Sequence, residues 1–277
     1  MRIVGLGRAL FAIGGAGLAL WNLAYQDFAL VGESVPPWIS WRPAWVDGSA
    51  VMVLAGSVGL CFSRTLVPGI LAVGIYLVVW VVARAIPIAT MPLSVGSWYG
   101  LCEALAPLLG IWILYALLRG QALMPQTRFI AGQRAVRVAQ ALFGLCCMVY
   151  GLAHFAYAEL TASMVPPWLP RPSGFAYFTG LGHLVAGAAL TIGILRRLAA
   201  TLEAIMMSLF GLLVWMPTLF EQHPPQWATP PRYQWSELIV SVLLAASAWM
   251  VAASFRSLPW GRRSFARPGA SPSPFQS

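Results

Sequence analysis

One imidazole and two phenols share a helical face. Tyr150, His154 and Tyr157 stand four and three residues apart inside an apolar stretch, the spacing that stacks side chains along an α-helix. Further on, Tyr233 precedes Glu237 by one helical turn, and His183 lies among Gly180, Gly182 and Gly187. Small residues of this kind let membrane helices approach closely. An ionisable group at the centre of a bilayer helix costs about 2.5–3.5 kcal/mol on insertion scales, so each of these groups needs a partner or water. Histidine titrates near neutrality and, beside a carboxylate, can hold or protonate a ligand oxygen such as a quinone carbonyl. His154, Glu237, Tyr150, Tyr157, Tyr233 and His183 are therefore expected to line a ligand-binding pocket. A second reading stays open: His154 and Glu237 bond only each other, or interfacial water, and lock two helices. For His183 an interhelical hydrogen bond suffices.

Other polar residues carry plainer expectations. Tyr99 and Glu103 repeat the Tyr–Glu spacing in the first half, but Asn22 stands there where the second half has His154. Arg84 is expected to neutralise Glu103 in a structural salt bridge. Glu203, close in sequence to Arg196 and Arg197, is expected to snorkel toward them. Trp168, with Trp38, Trp41 and Trp45, suits an aromatic belt at a membrane interface. The cysteines Cys61, Cys102, Cys146 and Cys147 form no Cys-x-x-Cys motif. Adjacent helical side chains diverge, so Cys146 and Cys147 make a poor disulfide pair and are expected to be small packing residues. No metal site is expected, because no zinc-ligand spacing occurs, and no nucleotide-binding loop or Ser-His-Asp order is found.

The elements that must position these groups are membrane helices. Of the 277 residues 59% are hydrophobic and only 9% charged, with a mean hydropathy of +0.75. Soluble domains carry roughly 25% charged residues, so this chain cannot cover a water-facing surface, and a large soluble domain or a secreted disulfide scaffold is excluded. Apolar segments fall near 3–24, 49–63, 66–86, 98–118, 135–157, 174–195, 198–219 and 235–255. The second is short for the about 20 residues a crossing needs. The first is read as a retained helix, not a cleaved leader. All 17 basic residues are arginines, and they cluster beside the apolar segments. That pattern reads as a topology signal and an attraction to anionic lipid, so no nucleic-acid partner is expected. With the N-terminus inside, thirteen arginines fall on the cytoplasmic side and only Arg42, Arg84, Arg171 and Arg232 on the other. Both termini are expected in the cytoplasm.

The halves match in order at an offset of about 130–135 residues. Ala9-Leu10-Phe11 aligns with Ala141-Leu142-Phe143, Val35-Pro36-Pro37-Trp38 with Val165-Pro166-Pro167-Trp168, and Val79-Trp80 with Val214-Trp215. The expected fold is all-α integral membrane: eight transmembrane helices as two tandem four-helix bundles, related as a parallel pseudo-repeat. Residues 1–118 would form the first bundle, 119–134 a cytoplasmic linker, 135–255 the second bundle, and 256–277 a disordered cytoplasmic tail.

The second half resembles the DoxX-like bacterial membrane proteins. The resemblance rests on Gly151-Leu152-Ala153-His154-Phe155, Val165 to Pro170, Ala176 to Gly180 through His183 to Gly187, Arg197 to Ala200, Leu213 to Pro217 and Trp235-Ser236-Glu237. It implies a four-helix membrane unit, here doubled, in a bacterial cytoplasmic membrane. Some relatives of the DoxD-like kind are membrane subunits of thiosulfate:quinone oxidoreductase, which implies a quinone as ligand and a redox partner protein beside the lipid bilayer. The expected role is a quinone- or amphiphile-binding subunit of a redox system. A small-molecule transporter and a structural scaffold without chemistry are the alternatives.

Overall fold

The computed structural model describes residues 2–29, 33, 35, 39–119, 131–220 and 231–260. Every regular element among them is helical: α1 (Arg2–Tyr25), α2 (Arg42–Gly59), α3 (Leu66–Thr90), α4 (Val95–Arg119), α5 (Gln133–Ala156), the short α6 (Ala158–Ser163), α7 (Pro172–Ile192), α8 (Arg196–Thr218) and α9 (Pro231–Ser254). Seven of these are long and apolar enough to cross a membrane, all but α2 and α6. Helices satisfy their own backbone groups in lipid, and outward side chains such as Val78, Val82 and Ile86 on α3 or Leu181 and Val185 on α7 are exposed to meet it. The chain is an all-helical, multi-pass membrane protein.

The second apolar segment differs most from its expected limits. α2 begins at Arg42-Pro43 and ends at Gly59, because Pro43 suits a first turn and the Arg42 guanidinium is fixed by Asp27 at 2.6 Å. It packs along both α1 and α3. α3 runs four residues past its expected end, through Pro87 to Thr90. The Pro36-Pro37-Trp38 stretch, most of the linker and the tail beyond Trp260 lie outside the described residues.

The halves are not self-contained bundles. α1 makes its main packing with α2 and α9, whereas it barely meets α4; α4 in turn packs on α3, α5 and α9. The Trp21 indole donates across this seam to the Arg232 carbonyl at 3.0 Å. The first and last helices of each half thus bury themselves against the other half, and α9 is the most enclosed of the spans.

Two local features place the polar groups. Where α5 crosses α7, a Cβ on Gly187 would sit 2.4 Å from the Gly144 carbonyl, and one on Gly180 would sit 2.7 Å from the Cβ of His154. Only glycine permits that approach. Within α8 the backbone widens into a π turn over Gly211–Trp215, just before Pro217. Proline lacks an N–H and its ring crowds the carbonyl four residues earlier; a π turn relieves both.

Candidate functional site

His183 on α7 and Glu203 on α8 form the centre of the site. Gly193 turns the chain between the two helices in the left-handed region, at φ 84°. His183 stands ten residues before that glycine and Glu203 ten after it, so a helical hairpin brings them level. His183 Nδ1 lies 2.8 Å from Glu203 Oε1, and both side chains are buried completely. His183 Nε2 and Glu203 Oε2 are also buried, without hydrogen-bond partners. Ala199, Ala200 and Ala204 around the carboxylate are buried as well, and the Cys147 thiol on α5 adjoins it.

This pair corrects the expectation for Glu203, which does not snorkel. The arginines near it are engaged elsewhere: Arg196 lies over the Phe255 ring, while Arg197 stacks 3.9 Å above Trp260 and donates to the Leu258 carbonyl. The sequence signal for the pair is its equal spacing from Gly193. The face of either helix taken singly does not show it.

His154 joins this centre from α5. Its ring centroid is 5.0 Å from that of His183, and Phe210, at the edge of the π turn, stacks on it at 5.9 Å and 27°. Nδ1 of His154 lies 2.9 Å from the Tyr150 carbonyl. A carbonyl only accepts, so Nδ1 carries a proton, and in the neutral ring Nε2 presents a lone pair. His154 is half-buried and Phe155 beside it is exposed, so this imidazole connects the closed His183–Glu203 pair with the outer surface of the bundle. Tyr157 points away, its hydroxyl against Gly96 at the start of α4.

Glu237 belongs to a different cluster. It is hydrogen-bonded to Tyr233 and lies in the field of Arg84, as does Glu103, which accepts from Tyr99. The two Tyr–Glu pairs meet where α4 packs on α9, and Arg84 reaches over Gly100 from α3. Pairing between His154 and Glu237 is thus replaced by two separate constellations, because α9 turns this face toward α4. Arg84 acts on both carboxylates, Glu103 and Glu237, and not on Glu103 alone. Tyr150 links the clusters: its hydroxyl donates to the Cys102 carbonyl at 2.8 Å, and its ring sits edge-on to Tyr99 at 5.7 Å and to His183 at 5.8 Å. Trp168 is exposed beside α7, clear of both clusters.

In the first half, Asn22 holds a loop acid instead. Its side-chain amide donates to Glu33 at 3.1 Å, and the Ala29 amide donates to the other carboxylate oxygen. Burial pushes the Glu33 carboxyl from its ordinary 4.5 up to about 8, with nearby Asp27 adding to the rise and the two hydrogen bonds opposing it. Among the described residues no group of three or more His, Cys, Asp or Glu is arranged to hold a metal ion.

A family model described as a domain of unknown function, DUF8561, matches residues 143–252. The match spans the chain from α5 to α9 and contains His154, His183, Glu203 and Glu237, but neither Tyr99 nor Glu103. No curated protein matches the chain, and no solved structure does.

Proposed function

We propose that this protein is a quinone- or amphiphile-binding membrane subunit working beside a redox partner, with His154 as its ligand contact. The observation that carries the reading is the half-buried His154, whose Nδ1 proton is held by the Tyr150 carbonyl and whose ring lies against that of His183 in the buried His183–Glu203 pair. A free Nε2 accepts from a hydroxyl, so the reduced, hydroxyl-bearing form of such a ligand suits it better than a bare carbonyl. Phe210 supplies an aromatic face beside that position. The Glu203 carboxylate behind His183 offsets positive charge gathered on His154. The chain's residues bind, orient and take up a proton, while electrons pass to or from the partner.

The same reading assigns α2 as an eighth span, because it packs between α1 and α3 like its longer neighbours. It places both termini in the cytoplasm of a bacterium, from the arginine distribution, and treats the halves as a parallel duplication of a DoxX-like unit. The two Tyr–Glu pairs facing each other support that duplication.

The test is direct. The protein purified in lipid nanodiscs is extracted with organic solvent and the extract identified by mass spectrometry, beside His154→Ala and Glu237→Gln. A stoichiometric quinone or hydroquinone that is lost from His154→Ala and kept in Glu237→Gln supports the assignment. Bulk phospholipid alone in all three samples removes it and leaves transport or scaffolding, which liposome flux would then separate.

A further inference from the structure

A groove of about 460 Å³ opens where the start of α5, the end of α7 and the start of α8 converge. Arg134, Arg137 and Arg196 border it, and Val138, Ala141 and Thr191 form part of its lining. Arg134 and Arg137 are three residues apart and share a helical face. Arg196 is delivered from the opposite side by the turn, where Gly193 and Leu195 both adopt positive φ. The convergence therefore depends on the fold and is absent from any single segment.

Three features separate this groove from ordinary surface arginines. None of the three guanidinium groups has a carboxylate partner among the described residues, and no acidic side chain lines the groove. The Arg196 guanidinium lies over the Phe255 ring, but its Nε is sequestered from solvent without a hydrogen-bond partner. The walls are mainly aliphatic, and the free amides at the start of α8 add positive potential at the same end. Arg197, one residue further on, is already satisfied by Leu258 and Trp260.

We infer that this groove binds the phosphodiester headgroup of an anionic phospholipid, with the acyl chains descending along α5 and α7. Basic pockets between membrane helices recognise such headgroups because charge holds the phosphate while apolar walls hold the chains. The site is independent of His154 and of any quinone.

The protein is placed in nanodiscs of phosphatidylcholine alone, of phosphatidylcholine with phosphatidylglycerol, and of phosphatidylcholine with inorganic phosphate in the buffer. Native mass spectrometry after transfer to detergent reads which lipid stays bound, and Tm is measured in each disc. Phosphatidylglycerol is expected to be enriched among retained lipids and to raise Tm. Arg137→Gln should weaken that preference about fivefold. Val138→Trp, which fills the groove without changing its charge, should abolish it, and Arg256→Gln, on an exposed position elsewhere, should leave it intact. Equal retention of both lipids, survival of the preference in Val138→Trp, or an equal loss in Arg256→Gln overturns the site. Stabilisation by inorganic phosphate matching that by phosphatidylglycerol overturns the lipid as occupant in favour of a soluble phosphate.

Discussion

Substituting either member of the His183–Glu203 pair alone should destabilise the protein more than substituting both. Glu203→Met removes the one partner His183 has and leaves both ring nitrogens buried and unpaired, since Nε2 is already without a partner. Interhelical hydrogen bonds in membranes average only about 0.6 kcal/mol, because freed groups usually find another partner. Here both side chains are fully buried and the Cys147 thiol that adjoins the carboxylate is a weak donor, so the relevant scale is that of a broken buried pair, about 3–5 kcal/mol. His183→Leu should cost a similar amount by stranding the carboxylate. The double substitution His183→Leu with Glu203→Met keeps the volume and removes all four polar atoms, so it should return to within about 1 kcal/mol of the parent, or exceed it. Glu203→Gln, which can still bond Nδ1, should cost about 1 kcal/mol. Reversible unfolding in bicelles measures each variant, and the cycle should give a coupling of about 3 kcal/mol or more. Costs that add to within about 0.5 kcal/mol would refute the reasoning, because residues in contact must couple. If ligand extraction is also lost in the double variant while it stays folded, the pair serves binding as well as helix packing.

Gly187→Ala should destabilise by about 1–3 kcal/mol through overpacking against the Gly144 carbonyl, whereas Gly74→Ala, with nothing within 4 Å, should be near neutral in the same unfolding assay. Arg84→Gln should be strongly destabilising, by about 3 kcal/mol, because it leaves Glu103 and Glu237 in each other's field; adding Glu103→Gln should recover much of the loss. Glu33 binds its proton more tightly folded than unfolded, so its contribution is full below pH 4.5, falls through the window from 4.5 to about 8, and is gone above that. Tm measured across that window should decline by the equivalent of a few kcal/mol, and Glu33→Gln should flatten the slope; an unchanged slope would place the titration elsewhere.

The single-segment patterns were legible at once, and their limits are instructive. Apolar runs mark the spans because the bilayer demands length and hydrophobicity from each helix separately. The Tyr99–Glu103 and Tyr233–Glu237 pairs were visible as one-turn spacings, and so was the face shared by Tyr150 and His154. Pairing His154 with Glu237 failed for a different reason: the period of a helix tells which residues share a face, but not which neighbour that face meets. Glu203 looked like a residue near a helix end because Arg196 and Arg197 are close in sequence. Its distance from Gly193, equal to that of His183, carried the contrary information.

The sequence by itself determined that this chain is helical, membrane-embedded and poor in charge, and that its few ionisable groups would need partners inside it. Those properties follow from transfer free energies and local periodicity, which act on each segment alone. Tertiary structure decided which partners they found. α1 and α4 packed across the halves on α9, the glycine seam drew α7 onto α5, and the Gly193 turn set His183 level with Glu203. Each depends on close contacts between segments far apart in the chain, where a single Cβ or one turned helix face changes which polar groups meet.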